Sequence, residues 1–367
     1  MTLKSGRTPT LEGSSSPLAR SPVGAGLPFV SIVMPVRNEA SHMAQNLTAV
    51  LAQDYPPDRF EVIVADGRST DGTSDIVQAL ANGHSSLRLV DNPSGIVATG
   101  LNRALAEARG DVIVRLDGHC EYPNDYVRRV VALRESTDAA NAGGVLVPVG
   151  SSYVQRSICA AYSSRWGIGG SALRAQEDST EVREVDAVHG GCWRRDTLSQ
   201  VGPFAEEMVR NQDDEMSFRL RKAGGRIVQA TSIRVNYVVR KRWSQLFLQF
   251  AQYGYWKVRL VQKYPRQASA RHLMPAALLF LFIAAAASTP FSRWGGPALA
   301  LLTAAYGTGL ALAALPAALR FSMSLWPGIV MALLVMQVGY GSGFWLGLCA
   351  LTGGRSRMDR WFSRLTR

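Results

Sequence analysis

Cysteine is scarce. The chain of 367 residues has four, Cys120, Cys159, Cys192 and Cys349, with neither the close pairing of a zinc site nor the density of a disulfide scaffold. They fit a reducing cytosol and simple packing. Residues 1–27 lack an apolar run long enough for a signal-peptide core and are rich in Ser, Pro, Gly and Thr, so they read as a disordered tail that directs no export. No Gly-x-Gly-x-x-Gly follows the first strand pattern, which counts against a dinucleotide-dependent dehydrogenase. Acids are nearly missing at the far end. Residues 273–367 hold seven Arg and one acid, Asp359, and so carry half of the net charge of +12. No groove-reading motif or basic stripe accompanies that charge, so nucleic acid is not an expected partner. A basic chain with long apolar segments instead suits anionic lipid headgroups or phosphorylated substrates.

From Phe29 onward, short apolar runs alternate with helical patterns. FVSIVMPV reads as a strand and residues 41–52 as a helix; EVIVADG as a strand and 73–81 as a helix; LRLVDN as a strand and 96–109 as a helix; DVIVRLDG as a further strand. Continuous Val/Ile runs of this kind belong to strands covered on both faces, and their alternation with helices predicts a parallel sheet. Residues 141–200, with many Gly, Ser and Arg and the motif-like HGGCWRRD, give no clear assignment. DDEMSFRLRKAGG then predicts a helix over 213–223, with acids in its first turn, bases in its last and Gly just beyond.

Three acids stand where an apolar run meets a polar turn or a helix start: Asp66, Asp117 and Asp213. Ligands of an open α/β sheet bind beyond the carboxyl ends of its strands, so these acids are expected to share one site although they lie far apart in sequence.

These segments resemble family 2 glycosyltransferases. SIVMPVRNEA is similar to that family's opening strand, VIVADGRSTDGT to its second-strand signature, RGDVIVRLDGH to its metal-binding segment and NQDDEMSFRLRKAGG to its acceptor-side helix. The resemblance covers roughly residues 29–260, and Arg-x-Asp-Gly-His in place of Asp-x-Asp, with apolar segments to follow, is similar to succinoglycan-type membrane glucosyltransferases. It implies an α/β chain with the GT-A (nucleotide-diphospho-sugar transferase) fold, a mostly parallel sheet with flanking helices, plus C-terminal transmembrane helices. The implied boundaries are a catalytic domain over 28–240, an amphipathic interface helix and linker over 241–272, a transmembrane region over 273–352 and a basic tail over 353–367.

The resemblance also assigns roles. Asp66 would accept a hydrogen bond from the nucleotide base, with Pro35, Arg37 and Glu39 lining the same pocket and Arg195 near the diphosphate. Asp117 and His119 would hold a divalent ion, Mg²⁺ or Mn²⁺, against that diphosphate, acting as a Lewis acid on the leaving group. Asp213 would be the general base for the acceptor hydroxyl; because Gln212 stands where the family has Glu, Asp214 stays open as the alternative. The implied activity is an inverting, metal-dependent transfer of one hexose, glucose, from a UDP-sugar to a polyprenyl-diphosphate-linked oligosaccharide in exopolysaccharide biosynthesis. Processive relatives carry Gln-x-x-Arg-Trp, whereas here Val239 precedes Arg242 and Trp243, which points to single-sugar addition. A polyprenyl-phosphate sugar synthase and a non-catalytic membrane scaffold of the same fold are the alternatives.

Trp243, Phe247, Phe250 and Tyr253 recur at near-helical spacing among bases, the pattern of a helix in a membrane interface. Leu273–Thr289, Pro297–Leu319 and Leu325–Thr352 are three apolar stretches, of 17, 23 and 28 residues. Against the roughly 20 residues needed to cross a bilayer, three crossings is the simplest count. The five Arg of the tail RSRMDRWFSRLTR argue instead for a cytoplasmic end and an even number. Either the first stretch is re-entrant, or the last, with Gly339, Gly341 and Gly343 in mid-run, folds back as a hairpin. The expected location is the inner (cytoplasmic) membrane, multi-pass, with the catalytic domain in the cytoplasm.

Overall fold

The computed structural model describes residues 26–164, 166, 167, 181–265, 270–352, 359 and 362. All but the last two residues of the expected tail over 1–27, and all of the basic tail except Asp359 and Phe362, lie outside these.

The first half follows the sequence pattern. β1 (Val30–Val36), α1 (Ala40–Leu51), β2 (Phe60–Asp66), α2 (Thr73–Ala81), β3 (Leu87–Asp91), α3 (Val97–Glu107) and β4 (Val112–Arg115) alternate in order. β1 pairs in parallel with β2 on one side and β4 on the other, and β2 with β3. Successive strand residues face opposite ways, so the buried runs feed two cores. Ile32, Met34, Val62, Val64 and Val114 pack with Met43 and Leu47 of α1. Val33, Ile63, Ala65 and Ile113 pack on the other face with Ala98, Leu101 and Ala104 of α3.

The second half comprises β5 (Cys120–Glu121), α4 (Tyr126–Thr137), β6 (Asn141–Val149), α5 (Tyr153–Tyr162), β7 (Val182–Glu184), β8 (Gly191–Arg194), α6 (Arg195–Val201), α7 (Gln212–Lys222) and β9 (Ile227–Val238). The nine strands form one sheet in the order β3-β2-β1-β4-β8-β6-β9-β5, with β7 beside β9. β8, from the segment the sequence left unassigned, is antiparallel to both β4 and β6, while β6 and β9 are parallel. The sheet is therefore mixed but mostly parallel where the apolar runs predict it.

The rest of the chain is helical: α8 (Trp243–Lys263), α9 (Ala270–Ser288), α10 (Gly295–Phe321), a short 3-10 turn (Met323–Leu325) and α11 (Trp326–Thr352). By length and composition two segments could cross a membrane, Gly295–Phe321 and Met323–Leu351, and the first apolar stretch forms a shorter helix, His272–Ser288. The last stretch is one continuous helix and does not fold back at its glycines. The physical reason is packing: a Cβ at Gly339 would lie 2.7 Å from the Phe247 carbonyl, one at Gly341 2.7 Å from that of Pro275, and one at Gly343 would collide with that of Ala251. On α8, Phe250 is buried and Trp243 and Tyr253 pack against the main core, so protein covers part of the aromatic stripe.

At the start of β2 the buried Glu61 ties three elements together. Its carboxylate accepts from Ser31 Oγ at 2.6 Å, the Arg109 backbone N–H at 2.7 Å and Arg88 Nη2 at 2.7 Å. Burial alone would raise the Glu61 pKa, yet these hydrogen bonds and the Arg88 charge hold it below the ordinary value. A depressed carboxylate contributes stability above its unfolded pKa and loses it as pH falls through the folded one. Glu61→Gln is expected to cost about 1–3 kcal/mol at pH 7, with the gap to wild type closing below about pH 4; unfolding of the full chain in detergent across pH measures it.

Candidate active site

The site lies beyond the carboxyl ends of β1, β2 and β4. Asp66 ends β2 in register with Val36 of β1. It is buried, and its two oxygens accept from Ser69, the backbone N–H at 3.0 Å and the hydroxyl at 2.5 Å. Asp71 cross-links the helix starts, accepting from Ala40 N at 3.0 Å and Thr73 Oγ1 at 2.6 Å. Burial opposes ionisation of Asp71, but these donors prevail and lower its pKa. Arg37 is exposed and lies over Gly95, whose carbonyl is 3.4 Å from Nη1. Gly95 has φ +66°, and a Cβ there would strike the guanidinium and come within 3.1 Å of the Gly67 carbonyl, so the pocket floor accepts only glycine. Pro35 packs beside Gly100 of α3.

Arg115, at the end of β4, holds the centre. It is buried, its Nε donates to Asp117 Oδ1 at 2.9 Å and its Nη2 to Asp117 Oδ2 at 3.3 Å, while Nη1 donates to Asp213 Oδ1. One guanidinium thus joins the acid after β4 to the acid opening α7. The far side of Asp117 faces His189 Nε2 at 3.1 Å. The Asp117 backbone N–H donates to the Tyr122 hydroxyl at 2.8 Å. Burial would raise the Asp117 pKa, but Arg115 first and His189 second pull it well below the carboxylate range. Burial would discharge His189, yet Asp117 lifts its pKa well above the ordinary histidine value. For Asp213 burial dominates and the pKa is raised, with Arg115 and His189 opposing and Asp117 and Asp214 adding to it.

The remaining expected residues divide. His119 turns its Nδ1 to Glu39 at 3.9 Å and its ring edge to Tyr237, 5.7 Å between centroids. Asp214 points to Lys257 of α8 at 2.6 Å, and Glu215 is buried with Arg219 and Tyr264. Asp213 alone of these three is bonded to Arg115. Arg195 is not brought to the others: it donates to the Gly110 carbonyl at 2.8 Å and to that of Ala108, before β4 begins. The cause is the direction of β8. Running antiparallel, it sets Gly191 opposite Arg115 and Arg194 opposite Val112, so the basic pair goes to the far end of the sheet and His189 to the near end. His189 was missed in the sequence because an unassigned strand has no direction; HGG was the available signal, and Gly190 at φ +67° and Gly191 at φ +132° make the turn that delivers it.

Among the described residues no group of three or more His, Cys, Asp and Glu stands ready to hold a metal. Asp117 has Arg115 on both oxygens and His189 on one, and His119 faces Glu39 instead. As arranged, Asp117 spends its oxygens on Arg115 and His189, so a cation binds there only in exchange for them.

The mostly parallel α/β sheet with flanking helices is of the GT-A kind. Over 87% of its length the chain superposes, with a TM-score of 0.54 and 24% identity, on 89% of the mannosyltransferase PcManGT of Pyrobaculum calidifontis, a structure in complex with GDP-Man and Mn²⁺. The model of glycosyl transferase family 2 matches residues 31–195. Across 323 residues the chain is 30% identical to the succinoglycan biosynthesis protein ExoA of Rhizobium meliloti, which covers 86% of this chain and 93% of that one. It is 29% identical over 203 residues to the glycosyltransferase AglE of Haloferax volcanii, 54% of this chain and 63% of that one. This chain belongs to glycosyltransferase family 2.

Proposed function

We propose that the chain is an inverting hexosyltransferase that moves one sugar, glucose, from a UDP-linked donor to a polyprenyl-diphosphate-linked oligosaccharide in exopolysaccharide biosynthesis, at the cytoplasmic face of the inner membrane. The observation that carries this reading is the Arg115 bridge: the acid on the donor side, Asp117, and the acid opening the acceptor-side helix, Asp213, hold the same guanidinium. The likeness to ExoA supports the pathway, and the apolar C-terminal helices support a lipid-borne acceptor.

In this reading Asp213 takes the proton of the acceptor hydroxyl as that oxygen bonds to the anomeric carbon, and the bond to the diphosphate breaks with its electron pair leaving on the nucleotide. The raised pKa of Asp213 strengthens it as a proton acceptor. Arg115 and His189, both against Asp117, are proposed to supply positive charge to the leaving diphosphate as it gains negative charge. Asp66, with Arg37, Pro35 and Glu39, is proposed to receive the base and ribose at the neighbouring strand ends. A divalent cation, Mg²⁺ or Mn²⁺, on Asp117 and His119 remains part of the proposal; it would have to displace the cationic partners that Asp117 has here.

Asp213→Asn is expected to lower turnover by about 10²–10⁴-fold while donor affinity stays near wild type. A parallel loss of donor affinity, read by calorimetry on the full chain, contradicts the assignment. Asp117→Ala is expected to abolish metal-dependent binding of the nucleoside diphosphate; an unchanged affinity with Mn²⁺ present excludes Asp117 from that role. Product analysis separates the polyprenyl-phosphate sugar synthase, whose sugar sits directly on a single phosphate.

A further inference from the structure

Helix α11 is long and apolar enough to span a membrane, yet its surroundings are those of a helix laid along the sheet domain. We propose that α11 does not cross the bilayer: it lies in the membrane plane against the catalytic domain, and the α9–α10 hairpin alone enters the lipid.

Contacts along its length carry the argument. At the N-terminal end, Tyr153 of α5 donates its hydroxyl to the Ser324 carbonyl at 3.4 Å and receives the Gly328 N–H at 3.1 Å. Leu325, Ile329, Ala332, Leu333 and Met336 are then buried in the same core as Ile158 and Ala161 of α5. Further on, Gly339, Gly343 and Gly347 rest on the backbone of α8 at Phe247, Ala251 and Tyr255. Residues 325–347 cover roughly 33 Å at 1.5 Å per residue, about the thickness of a hydrocarbon core. If α11 crossed, α5 and α8 would be drawn into lipid beside it. α5 is flanked by sheet strand β6 and carries the exposed Arg156, while α8 follows strand β9 and carries Lys257, paired to Asp214, and Arg259. Such charges are costly at the bilayer centre.

Both ends of α11 are tied to the same domain. Beyond its C-terminus, Asp359 accepts from Tyr255 Oη at 2.5 Å and from Arg259 at 3.1 Å, and Phe362 stacks on Tyr255 with centroids 4.2 Å apart. Its N-terminus begins at the Tyr153 contact.

The hairpin behaves differently. α9 meets α11 near its own start, where Trp345 donates to the Ala276 carbonyl at 2.9 Å, and α10 meets it through its second half, where Trp326 donates to that of Ala311 at 3.0 Å. The rest projects, with Leu281, Ile283 and Leu301 exposed, to a tip at Phe291, Arg293 and Trp294 in which Phe291 is 89% exposed. An apolar shaft with a Trp/Arg tip suits a lipid bilayer as the covering partner.

The test places single cysteines in full-length protein with Cys349, the exposed native thiol, changed to Ser: Ser85→Cys in the catalytic domain, Ser324→Cys before α11, and a cysteine appended after Arg367. A membrane-impermeant maleimide is applied to spheroplasts and to inverted vesicles. All three are expected to react from the same side. Reaction of the Ser324→Cys and C-terminal thiols from opposite sides would overturn the proposal. Met323→Cys, in the same turn, replaces Ser324→Cys if that variant does not assemble.

Discussion

A buried guanidinium needs anions around it, and the site is built on how Arg115 meets that need. Its Nε and Nη2 face Asp117 and its Nη1 faces Asp213. Removing a partner from a buried ion pair strands a charge, at a cost of several kcal/mol, so the arrangement fixes both acids as firmly as it fixes the arginine. His189 adds a second cation against Asp117. The result is one carboxylate held below the ordinary range, Asp117, beside one that burial pushes above it, Asp213. Two acids in one pocket acquire different chemistry from burial and from the order of the charges between them.

The sheet makes this meeting possible. β1, β2 and β4 run parallel, so Asp66 and Asp117 emerge at one edge on either side of β1. β8 then runs the other way beside β4, which returns the chain past the same edge at His189 before α7 presents Asp213. The Glu61 cluster acts at the opposite end of β2, joining Ser31, Arg88 and Arg109. One edge holds the structure together and the other is left for ligands.

The parallel half was legible because doubly covered strands leave continuous Val/Ile runs, and Asp66 and Asp117 because they stand where such runs end; Asp213, in the first turn of a helix, has an ordinary dipole reason to be there and stood out through the family resemblance. β8 was not legible: four residues with two glycines before them show no period. With its direction unknown, HGGCWRRD pointed to Arg195, whereas it is His189 that reaches the site. Arg115 was visible as a departure from Asp-x-Asp, but its hold on Asp213, 98 residues away, depends on a fold that no local pattern encodes. The glycines of α11 looked like a break in a helix and are contact points with α8 and α9, because a small residue on a helix carries the same letter in either role.

The sheet and the apolar C-terminal helices are joined through α8, which lies against α11 on one side and pairs Lys257 with Asp214 on the other. α7 is thereby set at a fixed relation to the apolar helices. All of this presupposes that Asp117 and Asp213 share Arg115. The most direct test is a double-mutant cycle with Asp117→Asn and Asp213→Asn, reading the unfolding free energy of the full chain in detergent. The account predicts that the double variant loses more than the two single losses combined, by about 1 kcal/mol or more, since only then is Arg115 left without an anion; additivity within about 0.5 kcal/mol would contradict it.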